Sequence, residues 1–404
     1  METKTTYELG RRVIDMFHSK GFSDVNIQFE TGPKKGDGIA GEIFHTIISA
    51  VNKDGVPQVL ETVIKCAPTN LTFRATMPVR NYFLRETLYY NKIVPIFDNL
   101  QDQFKLCVPQ EMRCILPKCY GFSDDFRQEM LILDDLTKKG FRVAPIQSVD
   151  YDHAVIMLQT MAKLHALSFI YEQRYPKRFR EMANQISGHL CTPLPGGEFT
   201  DKCLIQHGEY TMTQLLNAIT DESLRERFET AAGTNSFKKH IELSKAGQTM
   251  AILHGDNWHN NHMFKYKNGK PIEGIPIDFQ WSRYGSIAHD FMYLFLTDSG
   301  DLRRNHFHQL VDVYYAELKE FLSLCGYDVN KFCSYEQFQE ELKSQVLIST
   351  VVYIFSAPFF KNPELSLPER LSSPATYYAV TEEYKQTVNN MVTVWDSFKR
   401  SFDC

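Results

Sequence analysis

The run His254-Gly255-Asp256-Asn257-Trp258-His259-Asn260-Asn261 sets one carboxylate and one carboxamide five residues apart, in a stretch too polar for a core strand. Phosphoryl transfer uses such a pair: a carboxylate accepts the proton of the attacking hydroxyl, and an Asn further along the same loop helps hold Mg²⁺ on the nucleotide phosphates. The residues that follow narrow the fold. Met263 to Lys267 reads as a short strand, Asn268-Gly269 is the strongest two-residue hairpin signal, and Pro271 to Phe279 runs back as a second strand ending in Ile277-Asp278-Phe279. A hairpin returns its far end to where it began. Asp278 is therefore expected beside Asn261, giving two oxygen ligands for a hard cation and a base close to the same phosphate. Taken singly, His-Gly-Asp also reads as a polar turn and Asp278 as a strand-terminal cap.

The rest of the chain bounds what this loop can belong to. A length of 404 residues accommodates a two-lobed enzyme or two to three domain-sized units. With 43% hydrophobic and 23% charged residues the composition is that of an ordinary globular protein, which argues against disorder. The net charge is −5 and no basic block occurs, so a small-molecule substrate is expected rather than nucleic acid or an anionic membrane. Nine cysteines, an odd number with no Cys-x-x-Cys, argue against a disulfide framework and a zinc ribbon and fit free thiols in a reducing, cytoplasmic setting. The first residues lack the apolar stretch of a secretory signal. The most lipophilic run, Val346 to Phe360, contains Ser349, Thr350, Ser356 and Pro358 and falls short of the roughly 20 residues of a membrane span. It reads as a buried helix. No obligate protein partner is evident.

Before the loop, Leu9 to Lys20 reads as an amphipathic helix closed by Gly21, and a glycine-rich segment, residues 32–41, leads into an Ile43 to Val51 strand. Gly36 and Gly38 fit a backbone cradle for phosphate and equally a plain surface hairpin. Asn52 to Gly55 makes a turn to a strand from Val59 to Cys66, within which Lys65 is flanked by apolar residues. A buried Lys needs a carboxylate or phosphate, and Glu86, on a helix from about Arg80 to Lys92, is the candidate; a snorkelling surface Lys is the alternative. Strands at Pro117 to Phe122 and Glu129 to Leu133 then end in Asp134-Asp135-Leu136, where an apolar strand stops abruptly in acids. That is the expected linker, at about residues 134 to 140, with adenine lying on the backbone groups of Leu133, Asp134, Asp135 and Leu136.

Beyond it, Ser148 to Tyr171 reads as a long helix holding His165 as a hydrogen-bonded core residue, with shorter helices at Phe179 to Ile186, Thr211 to Ala218 and Glu222 to Thr230. Asp290 is expected to cap an apolar helix running to Leu296, to brace the polar loop, or both. Ser334-Tyr335-Glu336-Gln337 matches a capping box, and a last helix is expected near Ala375 to Phe402.

Lys65, Glu86, Asp134-Asp135-Leu136, the His254 to Asn261 loop and Asp278 stand in the order of kinase-like folds, with Asp256 and Asn261 spaced as in H-R-D-x-x-x-x-N. The chain resembles the protein kinase-like superfamily in its aminoglycoside phosphotransferase and choline kinase branch. Within it, the chain is most similar to the ecdysteroid kinase-like (CHK kinase-like) family. Phe83-Leu84-Arg85-Glu86, Leu131 to Leu136, Leu164-His165-Ala166, the trio of Trp258, Asn261 and Met263-Phe264 around Asp256, and Asp278-Phe279-Gln280 carry this match. Gly38 and Gly41 stand where that family has Asn and Ser, and Asp134 where it has Glu.

The resemblance implies an α+β, two-lobed fold with a β-rich N-lobe over residues 1–135 and a larger helical C-lobe over residues 136–404. It implies ATP bound by Lys65, Glu86, Gly36, Gly38 and the linker, Mg²⁺ on Asn261 and Asp278, Asp256 as base, and His254 and Asp290 as support. A protein substrate is excluded by the residues themselves: Gln280 replaces the Gly of D-F-G, Trp258 stands where a Lys is expected, Ala-Pro-Glu is missing, and Asp290 follows Asp278 by only twelve positions. The acceptor is expected to be a lipophilic hydroxyl compound such as an ecdysteroid, met by Tyr353, Phe355, Phe359, Phe360, Tyr377 and Tyr378. The alternatives are a choline or ethanolamine kinase and a non-catalytic ligand carrier.

Overall fold

The computed structural model describes residues 4–31, 41–71, 74, 78–105, 107–146, 148–188, 212–232, 247–295, 301–361 and 382–402. Helix α1 (Lys4–Ser19) forms where Leu9, Val13 and Phe17 recur at helical spacing, and all three are buried. They cover one face of an antiparallel sheet built from β1 (Ser23–Thr31), β2 (Glu42–Val51), β3 (Pro57–Cys66), β4 (Cys119–Ser123) and β5 (Met130–Asp134), in the order β1-β2-β3-β5-β4. The pleat sorts the residues. Met130 and Ile132 join Ile64 in the cluster under α1, while Leu131 and Leu133 turn into the large core. Paired residues share a face, so Lys65, opposite Leu131, points away from α1 and into the rest of the molecule.

β1 is an addition to the sequence reading, although Val25, Ile27 and Phe29 alternate there with Asn26, Gln28 and Glu30. The expected helix around Glu86 begins as α2 (Val79–Leu88) but does not stop at Lys92; it continues through a π turn, Tyr89–Ile93, into α3 (Val94–Gln103). Pro95 lies in the first turn of α3, where a missing N–H costs little.

A 3₁₀ turn, Leu136–Lys139, leads from β5 to β6 (Arg142–Val143) and then α4 (Tyr151–Arg174), whose first turn is capped by Asp150 accepting from the His153 N–H at 3.0 Å. α4 is long and apolar enough to cross a membrane, but 78% of its apolar window is buried inside the protein, where it packs against later helices. Then follow α5 (Pro176–Gly188), a short helix over 212–218, α6 (Glu222–Ala232), β7 (Met250–Leu253), β8 (His262–Lys267), β9 (Lys270–Pro276), β10 (Arg283–Ser286) and α7 (Ile287–Leu294). Helices α8 (Phe307–Leu324), α9 (Tyr335–Lys361) and α10 (Glu382–Phe402) complete the larger, helical lobe. The architecture is the α+β, two-lobed kinase-like fold expected from the sequence.

The hairpin signal holds in detail: Asn268 (φ 53°) and Gly269 (φ 78°) both adopt the left-handed conformation of a type I′ turn between β8 and β9. β9 ends at Pro276, three residues before the expected limit. The capping box also forms, with the Ser334 N–H on Gln337 Oε1 at 2.8 Å and the Gln337 N–H on Ser334 Oγ at 3.2 Å. One cap is corrected. α7 starts at Ile287 and its N-cap is Ser286, whose Oγ accepts from the Ala288 N–H at 3.2 Å; Asp290 is already inside the helix.

Candidate active site

Three elements deliver charged side chains to one point. Lys65 Nζ of β3 meets the Glu86 carboxylate of α2 at 2.8 and 3.0 Å and Asp278 Oδ1, just past β9, at 3.1 Å. Lys65 is 7% exposed, so the snorkelling alternative is excluded. Burial lowers the Lys65 pKa, but Asp278 and Glu86 more than reverse it and the ammonium is held above its usual value. Glu86 is pushed up by burial against the pull of Lys65. Two carboxylates thus share one buried cation, and Asp278 is the more open of the two, with 33% of its side chain exposed.

α2 and the π turn that follows it are clamped onto the Asp278 segment. The Arg85 guanidinium, fully buried, donates to the Gln280 carbonyl, Tyr82 packs on Trp281 with ring centroids 5.2 Å apart, and Tyr89 stacks on Phe279 at 3.7 Å. Asp278 itself has φ 66°, so the chain reverses there into a short 3₁₀ turn instead of extending the strand.

The loop from His254 to Asn261 closes on itself. Asn261 Nδ2 donates to Asp256 Oδ2 at 2.7 Å and to the Asp256 carbonyl at 3.0 Å, leaving the amide oxygen of Asn261 as a donor atom for a cation. The hairpin return arrives where the sequence placed it: the Ile277 N–H donates to the Asn261 carbonyl at 2.9 Å, and His254 Nε2 meets the Ile277 carbonyl at 2.9 Å. Asp278 therefore follows directly on a residue bonded to Asn261. Burial raises the Asp256 pKa, opposed by hydrogen bonds from Tyr293 and Asn261 and by the His254 charge. Among the described residues no group of three His, Cys, Asp or Glu side chains is set to hold a metal. The oxygens of Asn261 and Asp278 suit a hard cation shared with phosphate oxygens, as Mg²⁺ is commonly bound.

Asp290 braces the loop. Its Oδ2 accepts from the His254 N–H at 2.7 Å and its Oδ1 from the Gly255 N–H at 2.8 Å, while His165 Nε2 reaches it at 3.2 Å and Tyr314 holds the other His165 nitrogen at 2.7 Å. His165 is thus the hydrogen-bonded core residue expected, one contact removed from the loop. Sequence reasoning passed over Asn257, which is fully buried, donates to the Asp290 carbonyl at 2.8 Å and faces His262 Nε2 at 2.8 Å. It also passed over Tyr293 and Arg283; no motif names either, and only the folding of β10 and α7 onto the loop brings them close.

In the segment expected to be the linker, Leu133 pairs with Val63, and both acids are spoken for by protein groups. Asp134 takes the Lys118 N–H, the Tyr120 hydroxyl and Lys139, while Asp135 takes His45 at 2.6 Å and the Thr137 N–H and hydroxyl. Their backbone N–H groups bond to the Lys118 and Glu61 carbonyls. The carboxylates shape the linker and its turn at Leu136. Gly36, Gly38, Tyr377 and Tyr378 lie outside the described residues, as do the side chains of Tyr353, Phe355, Phe359 and Phe360.

Comparison with curated proteins gives no match. Solved structures that align over nearly the whole chain include the GDP complex of a point mutant of aminoglycoside 2'-phosphotransferase-IIIa (11% identity, TM-score 0.43, 98% of this chain and 100% of that one). Others are the AMP-bound spectinomycin phosphotransferase APH(9)-Ia (10%, 0.41, 97% and 98%) and macrolide 2'-phosphotransferase MphH from Brachybacterium faecium (12%, 0.38, 95% and 98%). The model of the ecdysteroid kinase-like family matches residues 35–327, well over half of the sequence and all of the site just described. The chain belongs to the ecdysteroid kinase-like family and is a small-molecule kinase, a phosphotransferase with a hydroxyl acceptor.

Proposed function

We propose that the chain transfers the γ-phosphoryl group of ATP to a hydroxyl of a lipophilic small molecule of the ecdysteroid kind. The observation that carries the reading is the junction of Lys65 with both Glu86 and Asp278 beside the Asp256–Asn261 pair. A ligand carrier has no use for that combination of buried charges, whose burial is costly unless they act together. In this reading Asp256 orients the acceptor hydroxyl and takes its proton as the bond to phosphorus forms. Lys65 steadies the α- and β-phosphates, held in place by Glu86 and by α2. Asn261 and Asp278 are the residues that would hold Mg²⁺, which neutralises charge on the phosphates when bound. The backbone of Leu133 to Leu136 lies against the adenine, and Gly36 and Gly38 are assigned to the phosphate side. We place the boundary between the lobes at residues 135 and 136, where β5 gives way to the 3₁₀ turn. A cytoplasmic location is supported by the described cysteines, Cys66, Cys107, Cys114, Cys119, Cys325 and Cys333, which are all free thiols.

The acceptor assignment rests on the family. Its test is competition among acceptors at fixed Mg-ATP with phosphorylated product scored by mass. Transfer to a polyhydroxylated steroid is the expected result. Turnover of choline or ethanolamine with no steroid product would overturn the acceptor and leave the kinase in place.

A further inference from the structure

Asp256 is held from two sides. Asn261 Nδ2 reaches Oδ2 from within the loop at 2.7 Å, and the Tyr293 hydroxyl of α7 hydrogen-bonds to the same carboxylate. Tyr293 is 7% exposed, its ring packed against His289 with centroids 5.6 Å apart. It follows Asp290 by three residues, so the two share a face of the helix. That face touches four successive loop residues: Asp290 takes the His254 and Gly255 N–H groups and, through its carbonyl, Asn257 Nδ2, while Tyr293 takes Asp256.

A cation lies behind this contact. Arg283 of β10 is 5% exposed, donates from Nη1 to the Trp281 carbonyl at 3.1 Å, and has no ion pair within 4.0 Å among the described residues. Its Nη1 stands 2.7 Å from the point a Cβ on Gly255 would occupy. The guanidinium thus fills the space beside the loop residue where H-R-D carries its own Arg. In protein kinases an activation segment, ordered through Arg–phosphate pairs, controls such a loop. Here twelve positions separate Asp278 from Asp290, and α7 and Arg283 adjoin the loop directly.

We propose that Tyr293 is a positioning residue that fixes the Asp256 carboxylate for proton acceptance, with Arg283 as the charge behind the loop. The proposal rests on Asp256 being the base. Tyr293→Phe keeps the ring and removes only the hydroxyl. With Mg-ATP and an ecdysteroid as acceptor, kcat is expected to fall about 10- to 100-fold, the range for losing a hydrogen bond to a charged group. Both KM values and the thermal midpoint should stay as in the parent, and Arg283→Lys should retain more kcat than Arg283→Met. Asp256→Asn is the control. If it loses turnover while Tyr293→Phe stays within twofold of the parent, the positioning role is overturned and the function stands; if Asp256→Asn is as active as the parent, Asp256 is not the base and the proposal falls with it, while the transfer activity stands. A fall in kcat accompanied by a matching fall in thermal midpoint would reduce Tyr293 to packing and overturn the proposal. A crystal structure of Tyr293→Phe reads the same point without an acceptor: Asp256 unmoved in its parent rotamer, with Asn261 alone holding it, would overturn the proposal too.

Discussion

Gly255 has φ 84°, and a Cβ there would run into the Trp281 carbonyl, whereas Gly269 has φ 78° and nothing within 4 Å of the same point. Both positions favour glycine, for different reasons. Gly269→Ala is expected to cost about 1–2 kcal/mol, the price of a left-handed Cβ alone. Gly255→Ala must also push the Trp281 backbone, in the turn before β10, away from the loop, so its urea midpoint should fall further than that of Gly269→Ala; equal losses would mean that the loop yields freely. Asp278→Asn should abolish the Mg²⁺ dependence of nucleotide binding, because Asp278 is the charged member of the proposed metal-binding pair. It should also loosen Lys65, which then keeps only Glu86. Titration of the variant with ATP, with and without Mg²⁺, checks this, and an unchanged Mg²⁺ effect would remove Asp278 from the metal site. Lys65→Met should weaken ATP binding by more than Glu86→Gln, since Asp278 still holds the ammonium in the second variant.

Among the elements, α9 and α7 begin in different ways and should fail differently. Ser334→Ala removes an exposed reciprocal cap and should lower stability by about 1 kcal/mol with kinetics unchanged. Asp290→Asn strikes at the fold of the loop. Burial would raise the Asp290 pKa, but the hydrogen bond and charge of His165 and the charges of His254 and His289 prevail and hold the carboxylate below its usual range. A depressed carboxylate contributes stability above its unfolded pKa of about 3.9 and loses it as the pH drops through the folded value. The variant should therefore be less stable than the parent at pH 7, with the gap closing as the pH is taken below about 4. Denaturant midpoints across that range test the sign, and a constant gap would show that the interaction does not depend on the charge. α2 and the π turn after it are tied to the site by contacts: Tyr82, Arg85 and Glu86 of α2 and Tyr89 of the turn each reach the Asp278 segment or Lys65.

For the whole molecule, nucleotide should act as a clamp between the sheet lobe and the loop. Mg-ATP at about 100 times its Kd should add about 2.7 kcal/mol to stability, with a smaller gain for ATP and EDTA. The thermal midpoint with each ligand measures it, and no shift with either would sink the kinase reading. Much of this site was legible in the chain. The spacing of Asp256 and Asn261, the Asn-Gly turn and the returning Asp278 are local or nearly so, because a two-residue hairpin leaves little freedom in where its second strand ends. Lys65 and its Glu86 partner were legible for another reason: a charge on an apolar strand cannot be buried alone. Only the tertiary structure assigned Asp290 to the inside of α7 rather than its cap, committed the linker acids to protein partners, carried α2 on into α3, and brought Arg283, Asn257 and Tyr293 around the loop. Those residues lie in ordinary polar or apolar surroundings in sequence, and their roles come from long-range packing of β10 and α7 on β7, which no local pattern encodes.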